Sequence, residues 1–468
     1  MTKKITPLAL ALVTLLTGCS MIPTYERPAA PVPTGFPNVA ASESPATLPS
    51  WRTYFAEPRL QQLIELALNN NRDLRIASLN VEQARAQFQI RRAAQYPAVG
   101  LAANASRAPA SGTGNITNNF SVGLAVTAWE LDFFGRVASL KEQALAQYLA
   151  TEEGRNAAQV SLISSVANGW LNLLADEELL ELSRRTLATR EESVRLTKLR
   201  LDSGAASELD YRQAESLAQA ARATLAQQQR QRALDENALA LLLGQPLPQD
   251  ILATLGRSDL NAAPAMQTVP AGLPSDLLVQ RPDIRQAEQQ LIAANANIGA
   301  ARAAFFPRIS LTAQAGTTSG ELSGLFKNGS WGFTLAPSLL LPLFDAGANQ
   351  ANLESAQASR GVAVAQYEKS IQTAFREVAD ALASQSSLTE QLEAQRKQAE
   401  AESIRFKLAD LRYQNGVASY LELLDAQRSL FSTQQGVVQV RLSQLQNQVS
   451  LFKALGGGWT DETSSAKP

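Results

Sequence analysis

The sequence predicts an α+β fold in which one structural unit occurs twice. Residues recur at a constant separation of 212 positions, as in Gly204 and Gly416 or Gly244 and Gly456. Each copy contains apolar residues in strict alternation, which is typical of strands, and about 65 residues without proline at helical spacing. A fixed offset held over more than a hundred positions indicates an internal duplication.

The N-terminus resembles the signal peptide of a bacterial lipoprotein. Residues 1–18 contain two lysines and then an apolar run, and Leu16-Thr17-Gly18 precedes the only cysteine, Cys19. We predict that residues 1–18 are removed and that Cys19 carries lipid. An ordinary signal peptide that happens to end before a cysteine is the alternative. Prolines recur up to residue 50, so residues 19–56 are expected to form a lipidated, extended segment.

Each copy is predicted to contain a long helical hairpin. A helix of about 65 residues would be roughly 100 Å long, which exceeds the diameter of a small domain. The many Gln, Ser, Glu and Arg residues between its apolar positions exclude a membrane-spanning helix. Such lengths indicate a coiled coil or a helical array. We place antiparallel helical hairpins at about 136–243 and 346–455, each turning at a glycine, Gly204 or Gly416.

Each copy is also predicted to contain a β-hairpin, at about 97–130 and 307–342. In the second strand of the first copy, Phe120, Val122, Leu124, Val126 and Ala128 face one way, with small or polar residues between them. Four strands of about ten residues with one apolar face are typical of outer membrane proteins. Two hairpins of a soluble β-sandwich are the alternative.

Aromatic residues gather at the helix-side ends of these strands. This position suits an aromatic girdle at one membrane interface. The residues are Tyr96, Trp129, Phe133, Phe134, Phe305, Phe306 and Phe344.

Four strands cannot close a barrel, because lipid offers no partner to an open sheet edge. Two chains would supply eight strands and a filled barrel, whereas three would supply twelve and a lumen. The Gly, Ser, Thr and Ala residues of the inward face suit a water-filled bore. We therefore predict a trimeric channel, with four transmembrane strands per protomer in a 12-stranded β-barrel that is continuous with a long α-helical coiled-coil barrel.

The remaining boundaries follow from these elements. The predicted units are residues 57–244 for the first structural repeat, 245–280 for an irregular equatorial connection, 281–456 for the second repeat and 457–468 for a C-terminal tail.

Composition excludes several functions. Charged residues make up 18% of the chain and the formal net charge is −1, which gives no basic field for nucleic acid. There is no histidine and one cysteine, so the usual imidazole, thiol and zinc chemistries are missing. We predict no enzyme activity, no metal site, no nucleic-acid partner and no cofactor other than the covalent lipid.

Several motifs carry a resemblance to a known family, among them Tyr25-Glu-Arg-Pro28, Glu130-Leu-Asp-Phe-Phe-Gly-Arg136 and Arg281-Pro-Asp283. Together they resemble the TolC-like outer membrane factor family, in its lipoprotein branch that serves tripartite multidrug efflux pumps. The resemblance implies a homotrimer in the cell outer membrane, anchored by lipid and extending into the periplasm. It also implies an exit duct that passively conducts drugs or other small toxic compounds. The implied partners are outer membrane lipid, a periplasmic membrane-fusion adaptor and an inner membrane transporter of the resistance-nodulation-division (RND) class.

The resemblance also assigns residues near the glycine turns. In that family, acidic rings after the turns close the periplasmic end, and the turns contact the adaptor. The implied gate residues are Asp210, Tyr413, Leu421, Glu422 and Asp425, and the implied adaptor-contact residues are Gly204, Ser207, Gly416 and Ser419.

The acids at this end lead to a specific expectation. Ala418 occupies the position of the family's basic latch residue. Carboxylates from three chains would repel one another, so we expect the ring to favour cations and to store free energy that adaptor docking releases. A solvated helix face is the alternative role for these acids.

Two other functions remain open at this point. The same channel could carry heavy-metal ions or, as in type I secretion, a protein. A lipid-anchored structural coiled-coil spacer belongs to a different class, and it would need neither the alternating strands nor the aromatic girdle.

Overall fold

The computed structural model describes residues 20–33, 35–36, 49–109, 116–255, 260 and 281–457. Its helices are α1 (Trp51–Tyr54), α2 (Pro58–Asn70), α3 (Arg72–Ala93), α4 (Arg136–Asp202), α5 (Glu208–Leu243), α6 (Gln249–Leu255), α7 (Pro282–Ala303), α8 (Ala348–Gln414) and α9 (Tyr420–Ala454). Its strands are β1 (Val99–Pro109), β2 (Ile116–Leu131), β3 (Arg308–Ser319) and β4 (Trp331–Leu340), with a short 3-10 turn at Leu322–Gly324.

The four strands form one antiparallel sheet in the order β1-β2-β3-β4. The predicted combination of long helices with four strands is confirmed. Among the described residues, β1 and β4 each have a neighbouring strand on one side only. Large apolar side chains stand exposed on the sheet, among them Leu101 at 77%, Trp331 at 68% and Phe333 at 73% of their surface.

A β-bulge interrupts the predicted alternation in β2. Val126 is opposite Ala313 and Trp129 is opposite Leu311, so two residues on β2 face the single position between those partners. Ala128 has a φ of 49° and its N–H donates to Thr312 Oγ1 at 3.2 Å. The prediction that Ala128 continues the face of Val126 is therefore wrong, and Trp129 takes that face instead.

The chain divides into two compact units. The first contains the sheet, α7, the N-terminal segment 20–30 and parts of α3, α4 and α8. Here the N-terminal segment is bound along α7, because Tyr25 Oη and Arg27 Nε donate to Glu288 Oε1 at 3.0 and 2.7 Å. Farther along α7, a Cβ on Gly299 would lie 2.7 Å from Ile22, so glycine permits this close approach.

The second unit holds a large apolar core. Trp170 of α4 is fully buried, and its indole N–H donates to Glu57 Oε2 at 2.9 Å. Tyr54 stacks on Phe452 of α9 with ring centroids 4.2 Å apart. Ile163 and Val166 are fully buried on the same face of α4 as Trp170, as their spacing predicts.

Two segments predicted to lack regular structure contain short helices. The segment 19–56, predicted to be extended, includes α1, whose Trp51 and Tyr54 are buried three residues apart. The connection 245–280, predicted to be irregular, includes α6, whose Ile251 and Leu255 are buried four residues apart. In both cases the spacing of two apolar residues places them on one helix face, where core packing stabilises a helix of one or two turns.

Both helical hairpins are present, α4 with α5 and α8 with α9. None of the helices in the described ranges is both long enough and apolar enough to cross a lipid bilayer.

Candidate functional site: the turns of the two helical hairpins

The two hairpins turn through the same backbone motif. Gly204 follows α4 with a φ of +76°, and Gly416 follows α8 with a φ of +72°. Ala205 N–H donates to the Arg200 carbonyl at 2.7 Å, and Val417 N–H donates to the Arg412 carbonyl at 2.9 Å. This bonding is a Schellman motif, which requires a left-handed residue after the helix and therefore favours glycine.

Serine caps the helix that follows each turn. Ser207 Oγ accepts the N–H of Asp210 at 3.1 Å, and Asp210 Oδ2 accepts the Ser207 N–H at 3.1 Å, which completes a capping box at the start of α5. Ser419 Oγ accepts the N–H of Glu422 at 3.3 Å at the start of α9. The carboxylate of Asp210 thus forms part of the N-terminal cap of α5, which the sequence analysis did not predict.

Asp425 is ion-paired on both sides. Its carboxylate oxygens accept from Arg405 Nη2 at 2.5 Å and from Arg428 Nη2 at 2.7 Å. Hydrogen bonds from Arg405 and then Arg428 hold the pKa of Asp425 below its usual value, so the group is charged at neutral pH.

Glu422 has a partner as well, since Arg412 Nε lies 3.1 Å from its Oε1. Asp425 and Glu422 of the predicted ring thus each have an arginine partner within the chain, which offsets part of the expected repulsion. Leu421 is 64% exposed within the chain, whereas the neighbouring Leu424 is only 7% exposed.

Tyr413 joins the two hairpins. The guanidinium of Arg200, on α4, lies 4.8 Å from the centroid of the Tyr413 ring on α8. The ring of Tyr420, at the start of α9, lies 5.3 Å from the Tyr413 ring. The chain has no basic residue at position 418, yet Tyr413 contacts a cation that the other hairpin supplies.

A small apolar cluster and a cavity lie behind these contacts. The buried members of the cluster come from α5, α8 and α9, and they are Ala214, Ala409, Tyr420, Leu423, Leu424 and Ala426. The cavity has a volume of about 500 Å³, and its walls include Leu196 and Arg200 of α4, Tyr413 and Gln414 of α8, and Tyr420 of α9. Both hairpins therefore contribute to one surface at their turns.

Sequence reasoning missed the basic partners at this site. Arg200 and Arg412 occupy equivalent positions in the two copies, four residues before each glycine, and this recurrence was the available signal. Arg405 has no such signal, because it lies 20 residues from Asp425 along the chain.

The aromatic residues predicted to form a girdle lie in the first unit. Phe134 and Phe306 stack with ring centroids 4.9 Å apart. Tyr96 and Phe344 are exposed at 65% and 90% of their surface, and Phe133, Phe305 and Phe306 are exposed to a lesser degree. Trp129, at the bulge, is half-buried. Next to them Glu130 pairs with Arg136 at 2.6 Å and with Arg308 at 2.7 Å.

The predicted lipidation site, Cys19, lies outside the described residues. Met21, two residues further on, is described, and its carbonyl accepts from Arg302 Nη1 at 3.4 Å. In the part of the chain that the structure covers, no three acidic or cysteine side chains are grouped so that they could hold a metal ion.

Comparison with known proteins identifies the family. The family model of the outer membrane efflux protein matches residues 63–245 and 273–457. The chain is 47% identical over 483 residues to the toluene efflux pump outer membrane protein TtgC of Pseudomonas putida, covering 100% of this chain and 98% of the relative. It is 44% identical to the outer membrane protein OprJ of Pseudomonas aeruginosa, covering 97% and 96% of the two chains.

Solved structures agree with this result. The open state of the MtrE outer membrane channel of Neisseria gonorrhoeae superposes with a TM-score of 0.85 at 42% identity, covering 94% of this chain and 99% of that one. A fold of four strands and long helical hairpins is thus that of an outer membrane channel. The chain belongs to the outer membrane efflux protein family. The predicted family, the location in the outer membrane and the role in efflux are confirmed.

Proposed function

We propose that three copies of this chain join their sheets into one twelve-stranded barrel, which forms the exit duct of a tripartite efflux pump. The observation that carries the proposal is the four-stranded sheet, in which the edge strands β1 and β4 each lack a second neighbour in the part of the chain that the structure describes. An open edge in lipid leaves backbone N–H and C=O groups unsatisfied, at a cost of several kcal/mol each. Pairing β1 of one copy with β4 of the next removes every edge.

The exposure of the strands supports the same arrangement. Trp331, Phe333 and Leu335 occupy alternate positions of β4, and more than 60% of each is exposed in the single chain. An apolar row of this kind is stable against lipid but not against water. The alternate positions carry Gly332, Thr334 and Ala336, which would line a wet bore.

The cargo is a small organic compound. The relatives are named as toluene, solvent and antibiotic efflux proteins, which favours such cargo over metal ions or secreted proteins. The duct conducts passively, catalyses no reaction and needs no cofactor. A lipid-anchored spacer does not account for membership of a family of channels.

The partners bind at the periplasmic end. A membrane-fusion adaptor contacts the turns around Gly204, Ser207, Gly416 and Ser419 and connects the duct to an RND-type transporter in the inner membrane. The glycines leave open space there, since a Cβ at Gly204 or Gly416 would meet nothing within 4 Å.

The gate lies beside these turns. Asp210, Tyr413, Leu421, Glu422 and Asp425 form its protein part, together with the arginines that pair with them. Leu421 is largely exposed in the single chain, so it is free to pack against a neighbouring copy. The contact between Arg200 and Tyr413 connects the two hairpins and thereby favours the resting arrangement.

Cys19 carries lipid that assists the barrel in anchoring the protein. Met21 contacts Arg302 near the end of α7, one turn before Phe305 and Phe306 of the proposed girdle. The N-terminal segment therefore leads towards the proposed membrane interface.

Imaging of the detergent-solubilised protein tests the assembly. Class averages should show three-fold symmetry and a lumen along the axis. Two-fold particles or monomers would contradict the twelve-stranded barrel. The role in transport is tested by complementation, since the gene should restore toluene tolerance to a host that lacks its own outer membrane component.

A variant without lipid tests the anchor. Cys19→Ala behind an ordinary cleavable signal should still insert into the outer membrane, because the barrel itself spans the bilayer. Recovery of this variant as a soluble periplasmic protein would refute the barrel.

A further inference from the structure

A second cavity lies between α4, α8 and α9, farther from the turns than the first. Its volume is about 210 Å³. One part of its wall is apolar, formed by Leu182, Phe406, Leu430 and Phe431. Another part is polar and includes Arg190. The cavity is thus suited to a ligand with both an apolar and a charged end.

Arg190 is a buried cation without an acidic partner among the described residues. Only 7% of its surface is exposed. Its Nη1 donates to the Leu217 carbonyl at 3.0 Å, and its guanidinium lies 5.6 Å from the Phe431 ring centroid. Burial lowers the pKa of Arg190, and no neighbouring carboxylate raises it. A buried charge is normally paired, so this one is an exception that requires an explanation.

The remaining donors of Arg190 are not fully enclosed. A guanidinium has five N–H donors, and one of them has a protein acceptor in the structure. None of the other nitrogens of Arg190 is among the fully enclosed atoms without a partner in the described residues. They therefore retain some access to solvent, and Arg190 lines the cavity.

The acids on the same stretch of α4 are committed to other cations. Glu191 pairs with Arg222 at 2.7 Å and Glu192 pairs with Arg195 at 2.6 Å. A change of rotamer that brought either carboxylate to Arg190 would break an existing ion pair.

Gln427 provides a second polar group in the same wall. Its side-chain oxygen is enclosed and has no hydrogen-bond partner in the structure. The amide nitrogen of Gln427 is not among the enclosed atoms, so its two N–H donors are accessible without a rotation. A ligand in the cavity could accept a hydrogen bond from this amide nitrogen.

We propose that this cavity binds a small aromatic carboxylate. The carboxylate accepts hydrogen bonds from Arg190, which suits planar, bidentate recognition. The ring packs between Phe406, Leu430 and Phe431. The size is compatible, since an apolar cavity of roughly 150 Å³ holds benzene. A small inorganic anion would leave the apolar wall in contact with water, so the arrangement favours an anion that carries a ring.

Benzoate is the probe that tests this site. Binding to the purified full-length protein in detergent is measured by equilibrium dialysis with labelled benzoate, and benzyl alcohol serves as the neutral analogue of similar shape. We expect benzoate to bind about tenfold or more tightly than benzyl alcohol, because a charge-assisted hydrogen bond is lost in the alcohol.

Substitutions assign the binding to Arg190. Arg190→Met should weaken benzoate binding by about tenfold or more, and Arg190→Lys should retain part of it. Arg184→Met is the matched control, because Arg184 lies six residues away on α4, is largely exposed and does not line the cavity. The control should bind benzoate like the wild type.

Thermal unfolding separates loss of binding from loss of fold. Without benzoate, Arg190→Met should unfold at the same or a higher temperature than wild type, because it removes a buried charge without an acidic partner. Equal affinity for benzoate and benzyl alcohol, equal binding by Arg190→Met and wild type, or no binding to the wild type would overturn the proposal. Destabilisation of the oligomer by Arg190→Met together with absence of benzoate binding would assign the cavity to a carboxylate of another copy instead.

Discussion

The guanidinium of Arg200 lies 4.8 Å from the ring centroid of Tyr413, and this contact joins the two helical hairpins beside their turns. One partner is on α4 and the other is on α8, so any motion that separates the hairpins at this end must break it. Arg200 of one hairpin thus provides Tyr413 of the other with a cation, which Ala418 does not supply.

Removal of this cation should favour opening. A cation–π contact at an accessible site is worth about 0.5–1 kcal/mol, so Arg200→Gln should raise the open probability of the proposed channel roughly two- to fivefold. Single-channel recording in planar bilayers measures this change. Arg212→Gln is the matched control, because Arg212 lies 5.3 Å from the Tyr211 ring within α5 and joins no two hairpins. Equal open probabilities in both variants would mean that the contact does not restrain opening.

Neutralising Asp425 should change the ion selectivity. Asp425→Asn removes the acceptor shared by Arg405 and Arg428, so Arg405 keeps Glu402 as its acidic partner and each chain gains one positive charge. The reversal potential in a salt gradient should therefore shift towards anions. Arg405→Gln should shift it towards cations, since Asp425 then keeps only one partner. If neither substitution moves the reversal potential, the cluster lies on a solvated face away from the conduction path.

Asp176 makes stability depend on pH. Burial, together with a hydrogen bond and repulsion from Asp235, raises the pKa of Asp176 to about 7 from its usual 3.8. Glu177 raises the pKa further and Arg232 lowers it. Because the folded-state pKa is above the unfolded one, the stabilisation is complete below pH 3.8 and is lost as the pH rises to about 7.

The measurement is the melting temperature between pH 5 and pH 8. The free energy of unfolding of the wild type should fall by roughly 2 kcal/mol over this range, since solvent screens part of the cost of the buried charge. The free energy of unfolding of Asp176→Asn should fall much less, because the amide does not titrate. Asp235→Asn should have an intermediate dependence of stability on pH. A wild-type slope unchanged in Asp176→Asn would show that another group titrates.

Two glycines with the same backbone conformation should differ in tolerance. Gly244 has a φ of +70°, and a Cβ there would lie 2.4 Å from the Asn70 carbonyl oxygen. Gly204 has a φ of +76°, with nothing within 4 Å of such a Cβ. Gly204→Ala should lower the free energy of unfolding by about 1 kcal/mol, the penalty for the left-handed conformation alone. Gly244→Ala should lower it clearly more, because the added Cβ clashes with backbone. Similar melting temperatures for the two variants would contradict this account.

The sequence predicted the features that recur or alternate. The glycine turns were predictable because their residues repeat at a fixed offset, and the strands because apolar residues alternate over ten positions. The bulge at Ala128 was not predictable, since the apolar alternation continues through it in the sequence while the backbone gains an extra residue. Alternation of apolar residues therefore does not distinguish a regular strand from one that contains a bulge.

Contacts between helices were beyond the reach of the pattern. Arg405 meets Asp425 because α8 and α9 run antiparallel, and Arg200 meets Tyr413 because the two hairpins lie side by side at their turns. Helical spacing identifies which residues share a face of one helix, but not how far a neighbouring helix is shifted along its axis. The charges near the turns were therefore visible in the sequence, while their pairing was not.

The open edges of the sheet affect what happens when two forms of the chain are made in one cell. If rings of three form by random mixing of equal amounts, roughly one ring in eight contains wild-type copies alone. A variant that still pairs through β1 and β4 but cannot open would therefore disable most of the ducts. Loss of an edge strand would instead keep the faulty copy out of the ring. The variant with an intact sheet should therefore reduce efflux more than the variant that lacks a strand, when each is made together with wild type.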